Sequence, residues 1–199
     1  MGGQVIVLSH CPISTLPHYK TVIILEEITT AHNHYHFVEE LLHSAFPENE
    51  RRDDAAQRWN TDNEELFRCL LVLDEAALSP VGLLTYWEFD RFLYIEHFAI
   101  HQSCRGKGFG GGVLQTFFRA YAQKPIVLEV EHPSDGQSMR RVRFYQRQGL
   151  TLWECDYLQP PYRSTDSCCP LYLMAFGELS FEKDYDTIRQ TIYRYVYSV

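Results

Sequence analysis

Long apolar runs are missing from this chain. None approaches the roughly 18–20 residues of a membrane span, so no membrane contact is expected. Residues 1–20, MGGQVIVLSHCPISTLPHYK, lack the basic start and long apolar stretch of a secretory leader. Positive charge is also in short supply: 199 residues carry 18 Lys+Arg against 26 Asp+Glu, a formal net charge of -8. Nucleic acid needs a basic face to neutralise its phosphates, so it is not an expected partner; the acidic balance suits a cationic ligand better. No two of the six cysteines stand at C-x-x-C spacing, and Cys168 adjoins Cys169. That pattern reads as reduced thiols in a cytoplasmic protein, not as a disulfide frame or a zinc site. Repeats, low-complexity tracts and linkers are absent too, so residues 1–199 are expected to form one domain.

The content that is present, 45% hydrophobic and 22% charged, is that of a globular chain. Apolar, β-branched stretches predict strands over 20–29, 66–74, 79–89, 91–100, 125–131, 150–157 and 170–177, and VIVL (5–8) offers another. The short links between 66 and 100 predict antiparallel hairpins. Helical spacing recurs in AHNHYHFVEELLHSAF, closed by Pro47, in 109–123, and in 138–148, closed by Gly149. ENERRDDAAQRW predicts a short helix, and the tail, with Ile188, Ile192, Tyr193 and Val196, a docked final one. The expected fold class is α/β, mixed α+β, with an N-terminal extension (1–19) and a C-terminal helix (178–199).

Five of the eleven glycines crowd into HQSCRGKGFGGGVLQTFFRAY (101–121), just before a helix start. Dense glycine lets the backbone approach a bulky group, and a helix N-terminus favours an anion. Three phosphate ligands compete. Gly106, Gly108 and Gly111 satisfy G-x-G-x-x-G, and Glu129 follows about 20 residues on, as in a dinucleotide fingerprint. The antiparallel strands before the loop and the scarcity of βαβ units after it oppose that reading. A nucleoside-triphosphate loop fails because Lys107 is followed by Gly108, not Ser or Thr.

The third reading comes from a resemblance. The order β–α–α–β–β–β, glycine turn, α–β–α–β–β over about residues 20–176 resembles the GCN5-related N-acetyltransferases (GNAT). Arg105, Gly108 and Gly110, in RGKGFG, match the family's [RQ]-x-x-G-x-[GA]. EHFAI (96–100) looks like its E-x-L-x-V strand, and LEV (128–130) followed by FYQRQGL (144–150) looks like its strand and FYxxxGF helix. The resemblance implies a GNAT-like fold, a central mixed, mostly antiparallel sheet flanked by helices. It also implies acetyl-CoA as co-substrate, without a metal, and acetyl transfer to a primary amine of a small molecule or peptide. A turn of unhindered N–H groups at a helix start suits the pyrophosphate of coenzyme A.

The resemblance also assigns roles. Residues Arg105, Gly106, Lys107, Gly108, Phe109, Gly110 and Gly111 form the cofactor turn, with Arg140, Arg141 and Arg143 near it. Phe98, Ala99 and Ile100 offer backbone groups where the family's fourth strand parts from its fifth. Ser138 takes the place of a cofactor-contacting asparagine, after a link, HPSDGQ, longer than is usual in the family. Tyr145 stands where the family's tyrosine protonates the leaving thiolate. Glu129 and Glu96 are rival bases; strand alternation puts Glu96 on one side with Phe98 and Ile100.

Two further features stay open. His32 and His36 would share a helical face, as metal ligands do, but no local carboxylate or cysteine joins them, so substrate contact or a solvated helix start competes. Tyr162, in QPPYRST (159–165), either shapes access for the acceptor or sits in a plain surface loop. A non-catalytic acyl-CoA-binding or sensing module remains the rival function. The oligomeric state is open, with the late strands and final helix available to pair two subunits as a homodimer.

Overall fold

The computed structural model describes residues 5–6 and 23–199; most of the expected N-terminal extension, with residues 7–8 and 20–22 of the expected strands, lies outside the described residues. Eight strands form one sheet: β1 (Val5–Ile6), β2 (Ile23–Glu27), β3 (Phe67–Asp74), β4 (Ser79–Glu88), β5 (Leu93–Ile100), β6 (Ile126–Glu131), β7 (Thr151–Gln159) and β8 (Cys169–Phe176). Their order is β1-β2-β3-β4-β5-β6-β8-β7, and only β5 and β6 pair in parallel. The fold is thus a mixed α/β arrangement with a mostly antiparallel sheet.

Among the described residues five α-helices cover it: α1 (Tyr35–Ala45), α2 (Asp54–Asn63), α3 (Phe109–Ala120), α4 (Gly136–Arg147) and α5 (Phe181–Val196). Val38, Leu41 and Leu42 of α1 and Ile188, Ile192 and Val196 of α5 pack in one cluster with Leu71, Leu83 and Val127. Val113, Leu114 and Phe117 of α3 and Val142 and Tyr145 of α4 pack in a second with Leu70, Leu84 and Leu128. Alternate strand residues feed the two clusters, so the central strands are apolar on both faces. That is why Cys69–Leu73 reads as an unbroken apolar run and is wholly buried. The edge strand β7 alternates buried with exposed instead.

Two local devices shape the middle of the sheet. Thr85 faces His97 across the β4–β5 ladder while Tyr86 faces Ile95, which leaves Glu96 without a counterpart, as in a β-bulge. Gly82 lies opposite Ile100, and a Cβ there would stand 2.6 Å from the Ala99 carbonyl oxygen. Only glycine lets β4 come this close to the end of β5. Gly82→Ala should therefore push β5 outward and lower stability by about 1–3 kcal/mol; an unchanged urea midpoint would refute this.

Candidate active site

Parallel pairing of β5 with β6 covers only Leu93–Ile95 against Ile126–Leu128. Beyond that, β5 stays with β4 as far as Ile100 and β6 with β8 as far as Glu131, so the two strands part. The gap is a cleft of about 840 Å³ lined by residues from both faces of the sheet. It brings together the backbone of Phe98, Ala99 and Ile100, the glycine turn, and the side chains of Glu96, Glu129 and Tyr145.

At the α3 side, Gly106 and Gly108 hold φ of +77° and +89°, a region that side chains disfavour, and Gly108 is the residue that caps α3. The first N–H groups of α3 have no partner within the helix and gather beside the turn. Arg105 folds back so that its Nε donates to the Ile100 carbonyl at 2.9 Å. Gln137, Arg140 and Arg141 of α4 line the same end, and Arg141 also pairs with Glu131.

Lys107, Phe109, Ser138 and Arg143 are not among the residues that line the cleft. Phe109 is only 6% exposed because its ring turns into the core beside α3. The Ser138 hydroxyl is taken by a capping box: its Oγ accepts from the Asp135 N–H at 3.1 Å, and the Ser138 N–H donates to Asp135 Oδ1 at 2.8 Å. That box fixes the start of α4, and the Leu150 N–H on the Tyr145 carbonyl at 3.2 Å closes its end. Between these two caps Tyr145 is held in the wall.

Glu96 does not share a side with Phe98 and Ile100. The bulge interrupts the alternation, so Glu96 meets Arg52, Trp87 and Tyr162 on the α1–α5 face, while Phe98 and Ile100 pack toward α3 and α4. Its carboxylate pairs with the Arg52 guanidinium and accepts from Trp87 Nε1 at 3.0 Å and from the Tyr162 hydroxyl at 2.8 Å. Burial opposes the charge, but Arg52, His97 and these hydrogen bonds outweigh it and hold the carboxyl below its usual range. Arg52 lies between the rings of Trp87 and Tyr162, at 5.4 and 5.0 Å.

Glu129 sits on the same face under different conditions. Tyr157 donates to its Oε1, and the Tyr197 hydroxyl lies 3.0 Å from Oε2 and 3.3 Å from Oε1. The residue keeps some exposure to the cleft, yet the dense protein around it pushes the carboxyl up to about 7, with the tyrosine hydrogen bonds opposing that rise and Glu96 adding to it. Tyr145 is pushed up to about 12 by burial.

Helix α1 begins at Tyr35, so His32 lies in the turn before it and shares no helical face with His36; His32 approaches Glu26 and His36 approaches Glu40. Among the described residues no group of three or more His, Cys, Asp or Glu is placed to hold a metal ion. Tyr162 is part of the cleft wall. Arg52, Tyr157 and Tyr197 escaped sequence reasoning, since nothing local marks a residue whose partner lies on a distant element.

The family described as "Acetyltransferase (GNAT) family" matches residues 34–150. The chain is 44% identical, over 88% of its own length and 98% of the other's, to a solved structure described as "Putative acetyltransferase from GNAT family from Bacteroides thetaiotaomicron", with a TM-score of 0.84. A GNAT family acetyltransferase from Elizabethkingia anophelis, solved with acetyl-CoA bound, shares the fold at 13% identity and a TM-score of 0.55, over 79% of this chain and 99% of that one. A curated relative, "Putative acetyltransferase YjbC" of Bacillus subtilis (strain 168), is 35% identical over 68 residues, a match that spans 33% of this chain and 34% of the relative.

The buried ion pair yields a stability test. Arg52→Leu strands the Glu96 carboxylate in the interior, at a cost of about 3–5 kcal/mol near pH 7. Glu96 has a depressed value in the folded protein, so its pairing stabilises above the unfolded carboxyl value and is lost as pH falls through the folded one. In the variant, protonation relieves the stranded charge. The gap between the two proteins should therefore narrow as urea denaturation is repeated from pH 7 toward pH 4; a constant gap would count against the ion pair as its source.

Proposed function

Because the chain belongs to the GNAT acetyltransferase family, we propose that it transfers the acetyl group of acetyl-CoA to a primary amine of a small molecule or peptide, by direct attack of the amine. One observation carries the reading: β5 and β6 part beside a glycine turn, and the cleft they leave joins that turn to Glu129 and Tyr145. The turn suits a pyrophosphate: Gly106 puts no side chain in its way, the first N–H groups of α3 gather there, and Arg105 and Arg140 line the same cleft. Acetyl-CoA supplies an activated acyl group.

The residues of this chain do the rest. Backbone N–H groups along Phe98–Ile100 meet the acyl end and the pantetheine arm, and donors aimed at a developing negative charge are worth a few kcal/mol. Glu129 takes the proton of the attacking amine, directly or through water. A carboxyl pushed up to about 7 is a better base than an ordinary one while remaining charged at mildly alkaline pH. Glu96 is the poorer base, because a proton placed on it would break the buried pair with Arg52. Tyr145, held protonated by burial, returns a proton on the leaving-group side. Glu50 on the cleft wall favours an acceptor that brings positive charge, whereas Glu131 is already paired with Arg141.

The binding test needs no acceptor. CoA at about 100 times its Kd should raise Tm by about 5–10 °C, whereas NAD should leave it in place. No shift with CoA would overturn the reading. With an amine that supports CoA release, kcat/KM should climb as pH rises through about 7, because the base works deprotonated. Glu129→Gln should lose this limb and about 10²–10⁴-fold in rate, and Tyr145→Phe should lose rate while keeping the limb.

A further inference from the structure

Glu129 has one oxygen turned to Tyr157 of β7, while its other, Oε2, is met by Tyr197, a residue just past the end of α5. We propose that Tyr197 is a positioning residue for Glu129: its hydroxyl holds the carboxylate in the orientation and charged form that accept a proton. This rests on Glu129 being the base, which the test below checks separately.

The placement of Tyr197 is built in from several directions. Ile188, Ile192 and Val196 anchor α5 in the core, with exposures of 2%, 0% and 6%. Arg52 Nη2 donates to the Val196 carbonyl at 2.9 Å, so the guanidinium that pairs with Glu96 also grips the backbone one residue before Tyr197. The Tyr197 ring lies 5.0 Å from that of Tyr162, and its hydroxyl lies 3.4 Å from that of Tyr94. A single arginine thus steadies both carboxylates, one by direct pairing and one through the end of α5.

The groups facing Glu129 are Tyr94 and Glu96 from β5, Tyr157 from β7, Tyr162 from the β7–β8 loop, Cys169 from β8, and Tyr193 and Tyr197 from α5 and its end. Burial raises every one of these tyrosines and the cysteine, which keeps them neutral. Glu96 is fixed as an anion by Arg52. Around neutrality, Glu129 is the member of this cluster that changes charge. A phenol that donates to the carboxylate favours the anion, so its removal favours the protonated acid.

The test follows the Glu129 carboxyl carbon by NMR across pH in protein labelled with ¹³C-glutamate, the signal being assigned by its loss in Glu129→Gln. Tyr197→Phe keeps the ring and should move the midpoint up by about one pH unit. A 3-fluorotyrosine introduced at position 197 is a stronger donor and should move it down, and this variant decides the matter where Tyr197→Phe fails to fold. Tyr185→Phe, which removes from the same helix a hydroxyl that donates to the Asp156 carbonyl, should leave the midpoint in place. A midpoint unmoved in both position-197 variants overturns the role of Tyr197 and leaves the base assignment standing. Undiminished CoA release by Glu129→Gln overturns the base assignment, and with it the proposal, whatever the midpoint does.

Discussion

Strands β5 and β6 grip each other through three residue pairs and then separate, and the cost of that separation reaches across the molecule. Backbone N–H and C=O groups turned away from a neighbouring strand need water, a side chain or a ligand. A dry gap at this depth would be unstable, so the strands enclose a cleft wide enough to be wet or filled. Each strand compensates on its other edge, β5 through Gly82 and the close approach of β4, and β6 through six residue pairs with β8.

The same parting gives two glutamates on neighbouring strands opposite characters. Glu96 and Glu129 face the same side of the sheet, and burial disfavours the charge of both. Arg52 decides the difference. Its guanidinium reaches Glu96 and locks it as an anion, whereas Glu129 has tyrosine hydroxyls for company, which ease the penalty without cancelling it. One carboxyl becomes part of the frame, and the other is left near the point where it can exchange a proton.

How much of this was legible depended on how local each signal is. The glycine turn, the FY helix and the order of elements are written in short stretches, because a turn that needs positive φ or a helix that needs a stop must use particular residues where they occur. The bulge at Glu96 was not legible. Both faces of β5 are buried, so its pattern does not betray a slipped residue, and strict alternation put Glu96 on the wrong side. Ser138 was ambiguous for a different reason: a hydroxyl three residues after Asp135 serves the helix cap as well as it would a ligand. Arg52, Tyr157 and Tyr197 belong to elements far apart in the chain. Their convergence is a property of topology, and no spacing rule reports it.

The cleft takes its walls from both faces of the sheet: exposed Arg140 of α4 belongs to one and exposed Ser44 of α1 to the other, with the divided strands between them. Its width is therefore tied to the packing of two layers at once, and a change in either helix layer is felt inside it.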